Sequence, residues 1–200
     1  KAPVMYGHAL ATLMLSEAWG QTRRKDVGKV LRNAVKLILE VQGEKGGWGY
    51  KSVPQDGDTS ICVMQILALK SAQDAGIYVP SNTIQKALSL IKTRYNEEKH
   101  RFGYNNTEAN NHLLGSSAAG TCIMQICGEK EAKYTADPLK ELHRVMKSGL
   151  DKSGCGHKNY FLYYSYVLLC RSFLKKQIII KITQSTQSIM TMTNDTVSSD

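Results

Sequence analysis

The chain has 200 residues, 42% of them hydrophobic and 22% charged, enough apolar content for a buried core, which excludes a wholly disordered protein. Its formal charge of +9 comes from Lys and Arg scattered along helical segments, and the largest cluster, Arg23-Arg24-Lys25, carries no interleaved aromatics, so no nucleic-acid partner is expected. No run of about 20 apolar residues exists to form a transmembrane segment, and the five cysteines lack the paired close spacing of a structural zinc site.

Leu10, Leu13, Met14 and Ala18 recur at helical spacing and predict a first, largely apolar helix from His8 to Trp19, with Gly20 as its stop. A second helix is expected from about Asp26 to Gln42, with Val27, Leu31, Ala34, Ile38 and Val41 on one stripe and Lys29, Arg32, Asn33, Lys36 and Glu40 opposite. Asp58-Thr59-Ser60 supplies an N-cap for a third, apolar helix through Ile61, Met64, Leu67 and Leu69, ending near Ala75-Gly76. Pro80-Ser81-Asn82 opens an amphipathic fourth helix with Ile84, Leu88, Ile91 and Tyr95 in register. Residues Ala118 to Cys127, closed by Gly128, form the next apolar helix. Asp137-Pro138, read as N-cap and first position, begins the next amphipathic one through Leu139, Leu142, Val145 and Met146. A further apolar helix opens at Asn159-Tyr160-Phe161-Leu162. From about Arg171 the helical period is lost, and residues 171–200 read as a low-complexity, disordered tail after a repeat region of residues 1–170. A frame disruption and a natural non-repeat terminus both account for that break. The start at Lys1 reads as a fragment of a longer chain.

The loops between these helix pairs repeat. Gln42-Gly43-Glu44-Lys45-Gly46-Gly47-Trp48-Gly49-Tyr50 returns 54 positions on as Glu98-Lys99-His100-Arg101-Phe102-Gly103-Tyr104, and more weakly as Lys152-Ser153-Gly154-Cys155-Gly156-His157. Cys62-Val63-Met64-Gln65-Ile66 likewise returns as Cys122-Ile123-Met124-Gln125-Ile126. A period of 54 to 60 residues with two helical patterns per unit predicts stacked αα-hairpins that bury their faces against neighbours, with no sheet and with Trp48 and Phe102 at equivalent loop positions.

Apolar helices alternating with amphipathic ones, joined by Gln42, Gly46 and Trp48 in that spacing, resemble the QW-repeat proteins: squalene and oxidosqualene cyclases and, more distantly, protein prenyltransferase β subunits. Met5-Tyr6-Gly7-His8-Ala9-Leu10-Ala11-Thr12-Leu13 also resembles the opening of bacterial squalene-cyclase-like proteins. The resemblance covers about residues 5 to 170. It implies an all-α fold, an incomplete α/α toroid of about three and a half helical hairpins, in which Gln42 and Trp48 tie neighbouring hairpins together rather than catalyse.

The family's chemistry fits this chain poorly. Squalene cyclases protonate an alkene with the central Asp of Asp-x-Asp-Asp-Thr-Ala; here Gln55-Asp56-Gly57-Asp58-Thr59-Ser60 keeps the final Asp-Thr but places Gly57 at the proton donor, and Asp58 reads as a helix cap. Prenyltransferases bind zinc through an Asp, a Cys two residues later and a distant His; Ser60 replaces that Cys and only His157, with Tyr160 three on, fits, so neither zinc nor another cofactor is expected. Ile126-Cys127-Gly128-Glu129-Lys130 is similar to the thioester motif of other αα-toroids, but Lys130 stands where the acylated Gln belongs, so Cys127 reads as core and Gly128 as a C-cap.

His8, Asp58, His112 and His157, with Tyr160, lie near the predicted starts of the apolar helices, the rim that carries the active site in the resembling family; singly each is a cap or a satisfied polar group, together they outline a pocket rim. Leu13, Ile61, Met64, Ile123 and Met124 would form its apolar wall. The expected role is a noncatalytic binding or scaffold module with an apolar inner surface; the alternative is a fragment of a squalene/hopene-type terpene cyclase whose acid lies outside this sequence. The expected partners are an isoprenoid or other apolar small molecule, its polar or anionic end at the helix N-termini, and the missing hairpins of the full-length chain.

Overall fold

A computed structural model describes residues 4–107 and 114–147. Six α-helices carry this region: α1 (Val4–Thr22), α2 (Lys25–Glu40), α3 (Thr59–Asp74), α4 (Ser81–Lys92), α5 (Leu114–Ile126) and α6 (Ala136–Lys147). Two short strands, β1 (Tyr95–Asn96) and β2 (Arg101–Phe102), pair antiparallel, Tyr95 opposite Phe102. Helix α3 packs against α1 on one side and α5 on the other, while α2, α4 and α6 each pack on the helix before them. Among the described residues no helix is long and apolar enough to cross a membrane.

The predicted alternation holds. Helix α2 buries Gly28, Leu31, Ala34, Val35 and Ile38, and α4 buries Thr83, Ile84, Ala87 and Ile91, each set three or four residues apart on one face. Helix α5 is buried from Leu114 through Gln125, on every face, with Ser116, Ser117, Thr121 and Gln125 among its apolar residues.

Several boundaries and faces differ from expectation. Helix α1 runs past Gly20 to Thr22, and Arg23, at φ 53°, takes the left-handed position that ends it. Its buried face is Met5, Ala9, Thr12 and Ser16, whereas Leu10 and Met14 are exposed. The period misleads here because Thr12 and Ser16 satisfy their hydroxyls on the carbonyls four residues back, His8 and Thr12, and so enter the core as small side chains. Helix α5 starts at Leu114, before the expected Ala118, and α6 starts at Ala136, which places Asp137 inside its first turn rather than at the N-cap. Gly128 closes α5 as expected: its φ of 80° allows its own N–H to reach Gln125 O and that of Glu129 to reach Met124 O. The fourth apolar helix and the tail lie outside the described residues.

Trp48 and Phe102, 54 residues apart, are both fully buried. The Trp48 N–H faces Cys62 Sγ at 3.4 Å and the Phe102 N–H faces Ser117 Oγ at 3.2 Å, so each loop aromatic is anchored on the helix that follows it. Their settings differ in one respect, which corrects the expectation of no sheet: Phe102 lies in β2. Its ring stacks among Tyr95 and Tyr134, at 5.0 and 6.3 Å between centroids, and a Cβ on Gly120 would meet it at 2.6 Å. Beside it, Arg101 pairs with Glu141 of α6 at 2.5 Å, both largely buried.

The Gln42–Trp48 pair forms a clasp. The Gln42 amide donates to Gly46 O at 2.9 Å and to Thr83 O at 3.0 Å, tying the loop to the start of α4, while the indole N–H of Trp48 donates to Ile38 O of α2 at 2.8 Å. Gly46 turns the loop at φ 100°, against the Lys86 backbone, where a Cβ would come within 2.6 Å.

Candidate functional site: a carboxylate ringed by tyrosines

The repeat is visible in single hydrogen bonds. The N–H of Met5, in the first turn of α1, donates to Tyr50 O at 3.2 Å, and the N–H of Thr59, at the start of α3, donates to Tyr104 O at 2.7 Å. Donors and acceptors are both 54 residues apart, so each loop is strapped to the helix that opens the hairpin before it. This brings two pairs of equivalent side chains, Tyr50 with Tyr104 and Tyr6 with Ser60, to one place.

Asp58 lies at their centre, 5% exposed, at the N-cap of α3. Its Oδ1 accepts from the N–H of Ser60 at 2.8 Å, the N–H of Ile61 at 3.1 Å and the Ser60 hydroxyl at 2.5 Å; its Oδ2 accepts from the Tyr50 hydroxyl. Tyr104 reaches the Tyr50 oxygen at 2.7 Å, and Tyr6 bonds Ser60. The Tyr6 and Tyr50 rings meet at 5.7 Å. Burial works to raise the Asp58 carboxyl, but the bonds from Ser60, Tyr104, Tyr50 and the Ile61 N–H outweigh it and hold the group below its ordinary value. Burial, aided by the neighbouring Asp58 carboxylate, pushes the phenols of Tyr50 and Tyr104 up; burial chiefly, set against the Ser60 bond, pushes Tyr6 up to about 12. At neutral pH the cluster is one carboxylate among neutral hydroxyls.

Beside it lies a cleft of about 810 Å³ between the loop after α2 and the end of α4, lined by Tyr50, Asp58, Tyr104, Arg94, Asp56 and Lys45 among others. Arg94, 4% exposed, donates to Gly57 O at 2.6 Å and Thr59 Oγ1 at 3.2 Å. Asp56 accepts the N–H groups of Gly47 at 2.8 Å and Lys45 at 3.1 Å, which fixes the turn before Trp48.

Of the residues expected at the rim, Asp58 caps α3, as its sequence context predicts, and lines this cleft. His8 is not part of it. It stands 54 residues before Cys62, one turn inside its helix rather than at the start, and its Nε2–H donates to Ala34 O of α2 at 2.9 Å. His112, 54 residues after Asp58, and His157 and Tyr160 lie outside the described residues. The expected apolar wall is divided: Ile61, Ile123 and Met124 are fully buried between helices, while Leu13 and Met64 stay partly exposed. The N-terminus of α3 offers no vacant anion site, because Asp58 and Tyr104 O already take the N–H groups of Thr59, Ser60 and Ile61. Among the described residues no three His, Cys, Asp or Glu side chains are grouped to hold a metal ion.

Sequence reasoning treated Tyr50 and Tyr104 only as loop markers and gave no role to Tyr6, Ser60 or Arg94. The signal was present in the 54-residue offset: equivalent residues of adjacent repeats meet where the repeats stack.

Comparison with known protein families, curated proteins and solved structures gives no match.

Proposed function

We propose that this chain is a noncatalytic αα-hairpin repeat module of the squalene-cyclase and prenyltransferase-like kind, working as a binding or scaffold unit. The observation that carries this reading is the strap found twice at the same offset, Met5 N–H to Tyr50 O and Thr59 N–H to Tyr104 O, together with the Gln42–Trp48 clasp between hairpins. Val4, Leu10 and Met14 leave an apolar face on α1, which has α3 on one side only, and a further hairpin of a longer stack would cover it. Alkene protonation needs a strong acid that is protonated before the reaction. At the position of the cyclase proton donor this chain has Gly57, and the adjoining Asp58 is engaged as the cap of α3 and as acceptor for Ser60 and Tyr50, so this motif supplies no acid, which supports the noncatalytic reading.

The test is incubation of the protein with squalene, oxidosqualene and farnesyl diphosphate plus a cysteine peptide, followed by mass spectrometry of the extracts. No cyclised or prenylated product is expected. Protein-dependent turnover of any of these substrates would overturn the reading.

A further inference from the structure

The hydroxyl groups around Asp58 turn their protons inward. An ionised carboxylate only accepts, so Tyr50 and Ser60 each direct their single hydroxyl proton to it. Tyr104 then also donates inward, to Asp58 or to the Tyr50 oxygen, and Tyr6 donates to Ser60. Two chains run inward, one from Tyr104 and Tyr50 to Asp58 and one from Tyr6 through Ser60 to Asp58. Each bond polarises the next, so the outer oxygens carry part of the negative charge of Asp58.

The outer end of the first chain decides what the cleft can hold. The single proton of Tyr104 points inward, and no donor among the described residues is bonded to its oxygen, which offers lone pairs to the cleft. The helix N–H groups that would attract an anion are already bonded, and the Arg94 guanidinium is turned to Gly57 O and Thr59 Oγ1. Asp56, Asp58, Lys45 and Arg94 all line the cleft, so formal charges balance and hydrogen-bond polarity selects the ligand. A charged donor is preferred over a neutral one because bonds from an ionised donor are about twice as strong.

We propose that this cleft binds the protonated primary amine of an organic ligand, with an ammonium N–H bonded to the Tyr104 oxygen beside the Tyr50 ring and Asp58 supplying the charge behind them. The inference deepens the reading of the chain as a binding module and rests on it.

The experiment is NMR titration of the full chain carrying ring-labelled tyrosines, with Tyr50 and Tyr104 assigned from the Tyr50→Phe and Tyr104→Phe spectra. The probes are n-butylammonium, tetramethylammonium and inorganic phosphate. Saturable shifts of both rings with n-butylammonium are expected, none with phosphate, and weaker binding by at least threefold with tetramethylammonium, which has no N–H. Tyr104→Phe, which keeps the ring and removes the acceptor, should abolish the saturable response. Equal response to tetramethylammonium, binding of phosphate at these rings, unchanged binding by Tyr104→Phe, or no saturable shift with n-butylammonium would each overturn the proposal. The comparison of probes is made on the unaltered protein, so it stands whether or not the variant folds. Turnover of the isoprenoids would overturn the noncatalytic reading instead, and leaves the amine titration to be read separately.

Discussion

Replacing Asp58 by Ala should destabilise the fold far more than a surface change would. Two backbone N–H groups of α3 lose their cap, which costs about 1 kcal/mol, and Tyr50 and Ser60 lose a charged acceptor in a largely buried setting. Water reaches the half-exposed Tyr50 and offsets part of that loss, so the sum is about 2 to 3 kcal/mol. Asp58→Asn keeps a good cap, with a carbonyl for Ser60 and Ile61, and should cost only about 1 kcal/mol. Urea unfolding followed by far-UV circular dichroism at neutral pH measures both. The pH dependence has a definite sign. The folded carboxyl titrates below its unfolded value of about 3.9, so its contribution is fully present above that value and is lost as pH falls through the folded pKa. The stabilities of wild type and Asp58→Asn should therefore converge on acidification from about pH 5 downward. An Ala variant within about 0.5 kcal/mol of wild type, or an Asn variant as damaged as the Ala one, would refute the cap-and-acceptor account.

Trp48→Ala removes a fully buried indole and leaves Ile38 O without its donor; a loss of about 3 to 5 kcal/mol is expected in the same unfolding assay. Gly120→Ala would drive a methyl to within 2.6 Å of the Phe102 ring, and a loss of about 1 to 3 kcal/mol is expected, recovered when Phe102→Leu is added. Gln42→Ala strips Thr83 O and Gly46 O of a shared donor and should cost about 1 to 2 kcal/mol, with faster amide exchange at the start of α4 as the local readout. Burial pushes the Cys127 thiol up to about 12, so at about pH 8 iodoacetamide should label it slowly in the folded protein and readily in urea, as followed by peptide mapping.

The helical class and the pairing of apolar with amphipathic helices were legible in the sequence, because a helix that buries one face must repeat apolar residues every three to four positions, as Leu31, Ala34, Val35 and Ile38 do. So were the clasp at Gln42 and Trp48 and the cap at Asp58, since both depend on partners close along the chain or fixed by the repeat. Where burial is decided by a neighbouring helix, the pattern misled: Thr12 and Ser16 look polar and are buried, while Leu10 and Met14 look like core and are exposed. The grouping of Tyr6, Ser60, Tyr50 and Tyr104 on one carboxylate required the stacking of hairpins, which brings together residues 54 positions apart. A periodicity states that two residues are equivalent; only tertiary packing states that they touch, and here contact between equivalent residues sets which way the protons point and what the cleft can bind.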